Sequence, residues 1–144
     1  MITAIDTNVL LDVLIPNADF CDASADAIQD SAAAGSLTIC DLVYAELCAH
    51  FRRQGDCDDF LAAGGIRVES LTRSAHFRAS RVWRDYRRQG GARTRILGDF
   101  LVGAHAELQA TRLLCRDRGF YTKLFPSLIL LDPSFRSTSV RQRR

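Results

Sequence analysis

The sequence predicts an α/β domain whose mostly parallel sheet is covered by helices on both faces. Short apolar runs with β-branched centres alternate with helical patterns, the signature of crossover-connected parallel strands. The chain has 144 residues, 47% hydrophobic and 25% charged, enough for one buried core. No apolar run reaches membrane-spanning length. Leu128 to Leu131 is typical of the longest, and Asp12 interrupts the apolar N-terminus. A cytoplasmic location with no membrane partner is therefore expected.

The elements follow in order. Met1 to Asp6 reads as a strand, and Thr7 to Leu14 carries Val9, Leu10, Val13 and Leu14 at helical spacing until Pro16. Asp19 to Ala34 is an Ala-rich helix ended by Gly35, and Leu37 to Cys40 is a second strand. Asp41 suits an N-cap, and Val43, Leu47, Ala49 and Phe51 line a helix running to about Gln54. A short acidic helix, Asp56 to Ala63, precedes Ile66 to Leu71, whose alternation marks a half-exposed edge strand or loop. A helix from Thr72 to Gln89 ends at Gly90-Gly91, and another runs from Leu97–Asp99 to about Gln109. Thr111 to Cys115 is a strand, Asp117 to Phe125 a loop or short helix, and Ser127 to Leu131 the last strand. One domain over residues 1–133 and a frayed basic tail over 134–144 complete the expectation.

Cys21, Cys40, Cys48, Cys57 and Cys115 include no C-x-x-C pair, which fits reduced thiols rather than a disulfide framework or a zinc site. The formal charge is only +2, and Lys123 is the only lysine among 19 basic residues. Polyanion binding is permitted by that balance without being required.

In parallel α/β folds ligands gather at the carboxyl ends of the strands. Four acids fall there: Asp6 after the first strand, Glu46 in the helix after the second, Asp99 at a helix start, and Asp117 after the strand containing Leu113 and Leu114. Each has apolar sequence neighbours, so packing would leave them semi-buried. Any one of them alone also fits an N-cap or a solvated helix end. Together they repel one another and lose solvation, a conflict that a cation in their midst resolves. Hard oxygen ligands select Mg²⁺ or Mn²⁺, and those ions suit phosphodiester hydrolysis.

These residues also carry a family resemblance. Asp6-Thr7-Asn8 after the first strand, Tyr44-Ala45-Glu46-Leu47, the run Gly98-Asp99-Phe100-Leu101-Val102-Gly103-Ala104-His105-Ala106 and Cys115-Arg116-Asp117-Arg118-Gly119-Phe120 resemble the successive motifs of the PIN-domain nucleases, particularly VapC-type toxins of toxin–antitoxin pairs. The resemblance implies a three-layer α/β/α sandwich, Mg²⁺- or Mn²⁺-dependent endoribonuclease activity, a homodimer, and inhibition by a small antitoxin. It makes Asp6, Glu46, Asp99 and Asp117 the metal-binding, catalytic acids, with the Thr7 hydroxyl orienting a carboxylate or a bound water. Cys115 stands where the family often has Thr or Ser two residues before the fourth acid, so a supporting hydroxyl is missing.

Arg93, Arg95, Arg116 and Arg118 flank Asp99 and Asp117 and are the candidates for RNA contact. Arg78, Arg81, Arg84, Arg87 and Arg88 around Trp83 and Tyr86 read first as a solvated helix face, with a surface that tracks a phosphate backbone and stacks a base as the alternative. His105 reads as a hydrogen-bonded core histidine, and Asp56, Asp58 and Asp59 as a helix start. Two other classes compete with the nuclease. A PIN-like module that binds RNA or protein without cutting would not need four acids, and a receiver-like phosphoacceptor would need a lysine after a late strand, where Lys123 does not fall.

Overall fold

Parallel pairing dominates the architecture. The computed structural model describes residues 1–92 and 95–134. Its elements in chain order are β1 (Ile2–Ile5), α1 (Thr7–Leu14), α2 (Cys21–Ala34), β2 (Ser36–Cys40), α3 (Asp41–Cys48), α4 (Gln54–Ala63), β3 (Ile66–Glu69), α5 (Arg73–Arg88), α6 (Leu97–Gln109), β4 (Arg112–Leu114), α7 (Arg118–Leu124) and β5 (Ile129–Leu131). The five strands form one sheet in the order β3-β2-β1-β4-β5, and every pairing is parallel. The helical connections then cover both faces, because right-handed crossovers to the left and to the right of β1 lie on opposite sides.

Two strands at the centre have short polar residues inside them. Thr3 and Thr38 are fully buried, and each hydroxyl is bonded: Thr3 accepts from Arg112 Nε at 2.9 Å, and Thr38 donates to the Arg67 carbonyl at 3.4 Å. Around them Ile5, Leu37, Ile39, Leu113 and Leu114 form the apolar middle layer against Val9, Leu10, Val43, Leu47 and Phe100. At the start of β2 the chain passes so close to Met1 that a Cβ on Gly35 would collide with the Met1 carbonyl. The bond from Ser36 N to that same carbonyl, 2.9 Å, depends on this approach.

The expected order of elements holds, with several boundaries moved. The third helix stops at Cys48 rather than near Gln54, where α4 instead begins. The His50 and Phe51 amides close back three residues, onto Leu47 and Cys48, and the turn brings the Phe51 ring to 5.8 Å from Phe60. Asp41 is the first residue of α3 and not its cap, that place being taken by Cys40 without a side-chain bond. The second helix starts at Cys21, because Asn17 first forms a turn by accepting from the Asp19 amide at 3.0 Å. Ile66 to Glu69 is a strand at the sheet edge, and Arg118 to Leu124 is a helix. All five cysteines are free, and burial pushes the thiols of Cys40 up to about 11 and of Cys57 and Cys115 up to about 12, which keeps them protonated and inert. Among the described residues no helix is long and apolar enough to cross a membrane. Arg93 and the tail from residue 135 onward lie outside the described residues.

Candidate metal centre

The chain order reverses between β1 and β4, the neighbouring central strands from which the sheet is built outward in both directions. The carboxyl ends of such a pair form the ligand-binding crevice of open parallel sheets. The Asp6 amide bonds to the Leu114 carbonyl at 3.0 Å, so the two strand ends are tied together there. Asp6 leaves β1 at this point and Asp117 follows β4 three residues after Leu114.

Asp6 is the N-cap of α1. Its Oδ1 accepts from the Thr7 amide at 2.8 Å, and its Oδ2 accepts from the Tyr121 hydroxyl at 3.2 Å. Burial pushes its carboxyl from 3.8 up to about 6, against the lowering effect of those two bonds, and the charges of Glu46 and Asp99 push it further the same way. Thr7 is buried, and its hydroxyl donates to Glu46 Oε2 at 2.8 Å, fixing the carboxylate that α3 brings in. Glu46 itself is exposed, a correction to the semi-buried environment expected from its apolar sequence neighbours, of which only Val43 and Leu47 are buried.

Asp99 stands in the first turn of α6, partly buried, and burial raises its carboxyl above the ordinary range while Arg95 pulls it down and Asp117 pushes it up. The Arg95 guanidinium lies between these two acids, 2.6 Å from Asp117 Oδ2 and 3.9 Å from Asp99 Oδ2. All four acids thus belong to one end of the sheet, linked pairwise: Asp6 to Glu46 through Thr7, Asp99 to Asp117 through Arg95. Among the described residues no three His, Cys, Asp or Glu side chains are close enough together to hold a metal ion; the four acids are linked as two pairs and not gathered into the single cluster expected from the sequence. The donor set is oxygen only, and its strongest perturbation is a carboxyl held near neutrality by burial and by other carboxyls. Those properties fit a hard divalent ion and not zinc.

Tyr121 was not among the residues singled out from sequence. It is fully buried, its hydroxyl is held far above the usual range by burial and by Asp6, and it supplies a hydroxyl to the first acid. The available signal was its place four residues after Asp117, one turn into a helix that the sequence left as loop or helix. Arg116 proves committed elsewhere. Its Nη2 donates to Asp12 Oδ1 at 3.0 Å, its Nε lies 2.9 Å from Asp12 Oδ2 at an angle too poor for a hydrogen bond, and the guanidinium covers the Phe20 ring at 4.2 Å. Asp12 is buried and also accepts from Ser24, so Arg116 neutralises an interior charge instead of facing a ligand. Arg118 is exposed at the start of α7, next to Asp117.

His105 is a core histidine as expected, with Nε2 2.8 Å from Glu69 Oε1. On α5, Arg78 pairs with Glu107 at 2.7 Å, and Arg81 and Arg87 lie over Phe77 and Trp83 of their own helix. Asp58 of α4 accepts from the Tyr44 hydroxyl of α3 at 2.7 Å, a bond that joins the two helices.

No curated protein matches the chain. In fold the chain is similar to VapBC2 from Rickettsia felis bound to a DNA fragment from its promoter, with a TM-score of 0.69 and 17% identity over 92% of this chain and 98% of that one. It is similar also to VapBC-1 from nontypeable Haemophilus influenzae, TM-score 0.70 and 16% identity over 94% and 100% of the two chains. A toxin–antitoxin complex from Klebsiella pneumoniae gives 0.65 and 16% over 91% and 97%. The model of the PIN domain matches residues 3–123, a span that contains all four acids, Thr7 and Tyr121. With the parallel sheet, its strand order and the acids at its switch point in agreement, the chain belongs to the PIN-domain family.

Proposed function

We propose that the chain is a metal-dependent endoribonuclease and the toxin of a type II toxin–antitoxin pair. The observation that carries the reading is the placement of Asp6 and Asp117 at the carboxyl ends of the neighbouring strands β1 and β4, with Glu46 tied to Asp6 through Thr7 and Asp99 to Asp117 through Arg95. Such a site is costly unless it serves to hold a cation. Asp6, Glu46, Asp99 and Asp117 would hold Mg²⁺ or Mn²⁺, which when bound supplies the Lewis acidity and charge neutralisation for hydrolysing an RNA phosphodiester. Thr7 and Tyr121 keep two of the carboxylates in register through their 2.8 and 3.2 Å bonds. Arg95 and Arg118 are the cations best placed to meet substrate phosphates, with Arg93 beside them in sequence.

The solved structures similar to this chain are toxin–antitoxin assemblies, which supports a small antitoxin as the partner. A cytoplasmic homodimer, each copy a single domain over residues 1–133 with a basic tail, completes the proposal. The test is incubation of total RNA with the purified chain in Mg²⁺, Mn²⁺, Ca²⁺ or chelator. Cleavage should require Mg²⁺ or Mn²⁺ and be lost in Asp6→Asn and Asp99→Asn variants that remain folded. Undiminished cutting by either variant, or in chelator, overturns the assignment.

A further inference from the structure

Arg95 is seated, not merely nearby. Its amide closes a turn onto the Ala92 carbonyl at 3.2 Å. Its guanidinium lies over the Phe120 ring at 4.2 Å, and Phe120 is buried edge-on against both Phe100 and Tyr121. The side chain is one-third exposed, and Nη1 reaches Asp117 Oδ2 at 2.6 Å with Asp99 Oδ2 at 3.9 Å. The two acids stand on different elements, Asp99 in α6 and Asp117 ahead of α7, so the arginine crosslinks them. An aromatic face beneath and carboxylates in front are the two environments that hold a guanidinium best.

A divalent ion at this site would need the same oxygens. A guanidinium 2.6 Å from Asp117 Oδ2 weakens the hold of that carboxylate on a hard cation, because two positive charges brought to one acceptor repel each other at close range. We propose that Arg95 is an intramolecular counter-cation of the candidate metal centre, neutralising Asp99 and Asp117 in the metal-free protein and competing with the divalent ion for them. The inference rests on the metal-centre reading and adds a residue that sets how tightly the centre takes its ion. Metal entry then frees the Arg95 guanidinium from Asp117, leaving it charged at the rim of the site.

The test is calorimetric titration of the full chain with Mn²⁺ alone, without RNA. Arg95→Gln should bind Mn²⁺ roughly two- to fivefold more tightly than the unmodified chain, the range expected for loss of a partly exposed competing ion pair. Arg73→Gln, an equal loss of charge at the far end of α5, should leave the affinity unchanged. Arg95→Lys, which keeps the charge but loses the planar fork, should fall between, and it serves as the readout if Arg95→Gln does not fold. Equal or weaker Mn²⁺ binding by the folded Arg95 variants overturns the proposal while leaving the metal centre intact, as does an equal gain in Arg73→Gln. Absence of Mn²⁺ binding by every protein overturns the metal-centre reading and this inference with it.

Discussion

The Tyr121 hydroxyl donates to Asp6 Oδ2 at 3.2 Å, so the helix that follows the fourth acid holds the first one in place. The bond spans 115 positions of sequence and ties the ends of β1 and β4 from above, as the Asp6 amide to Leu114 carbonyl bond ties them from within the sheet.

Tyr121→Phe removes only that hydroxyl and leaves the ring packed between Phe120 and Phe125. Outer-sphere partners of metal-site carboxylates are worth about 10- to 100-fold in affinity or activity. The variant should therefore lose about tenfold in metal affinity at nearly unchanged unfolding free energy. Titration with Mn²⁺ and urea denaturation measure the two quantities separately.

The raised Asp6 carboxyl makes stability depend on pH in a definite direction. Its folded value, about 6, lies above the ordinary 3.8, so the folded state holds the proton more firmly. Stability from this group is greatest below about pH 4 and declines as pH rises toward 6, by up to about 3 kcal/mol. Asp6→Asn, which keeps a good N-cap, should gain on the unmodified chain as pH increases across that window. Urea denaturation in chelator at three pH values checks it, and a constant difference across pH refutes it.

Divalent metal should raise the melting temperature of the folded chain. At about 100 times its dissociation constant the gain is roughly 2.7 kcal/mol. Asp99→Asn in chelator should be neutral or stabilising, because burial and Asp117 already disfavour the Asp99 charge, and it should abolish most of the metal-dependent gain. Thermal melts with and without Mn²⁺ give both numbers.

Arg116→Met should cost about 3 kcal/mol or more of stability, since it strands the Asp12 carboxylate in the interior with Ser24 as its remaining partner. The double variant Asp12→Leu with Arg116→Met should recover a large part of that loss. A substrate-binding role without a structural one would instead leave the denaturation curve of Arg116→Met unchanged.

Gly103→Ala should destabilise by about 1–3 kcal/mol, because the added Cβ would strike the fully buried Phe125 ring. Gly103 lies one turn beyond Asp99 on α6, so the variant should also weaken Mn²⁺ binding. Denaturation and titration of the same preparation test the coupling.

The sheet, and the placement of acids at its strand ends, were legible because both follow from one-dimensional pattern. β1 ends where Ile5 gives way to Asp6, and the alternation in Ile66 to Glu69 marks an edge. Pairing partners set by the third dimension were not legible. Arg116 and Arg95 look alike in sequence, each within four residues of an acid of the site. One turns inward to Asp12 and the other bridges Asp99 and Asp117. The hydroxyl missing at Cys115 was visible, whereas the one Tyr121 brings to Asp6 required knowing that Arg118 to Leu124 is helical. The break at Cys48 escaped because the apolar rhythm of α3 continues to Phe51, which packs on α4 instead.

The pairing of β4 beside β1, with Asp6 and Asp117 on the two strand ends, also governs when the candidate metal centre can assemble. A growing polypeptide that has finished β1, β2 and β3 owns Asp6 and Glu46 but has no neighbour for the open side of β1, and its acids have no partners across the crevice. At translation speeds of about 5–20 residues per second, the interval between the first acid and the last is on the order of ten seconds. For that time the candidate metal centre lacks Asp99 and Asp117, and it is complete only once β4 has docked beside β1 and α7 has brought the Tyr121 hydroxyl to Asp6.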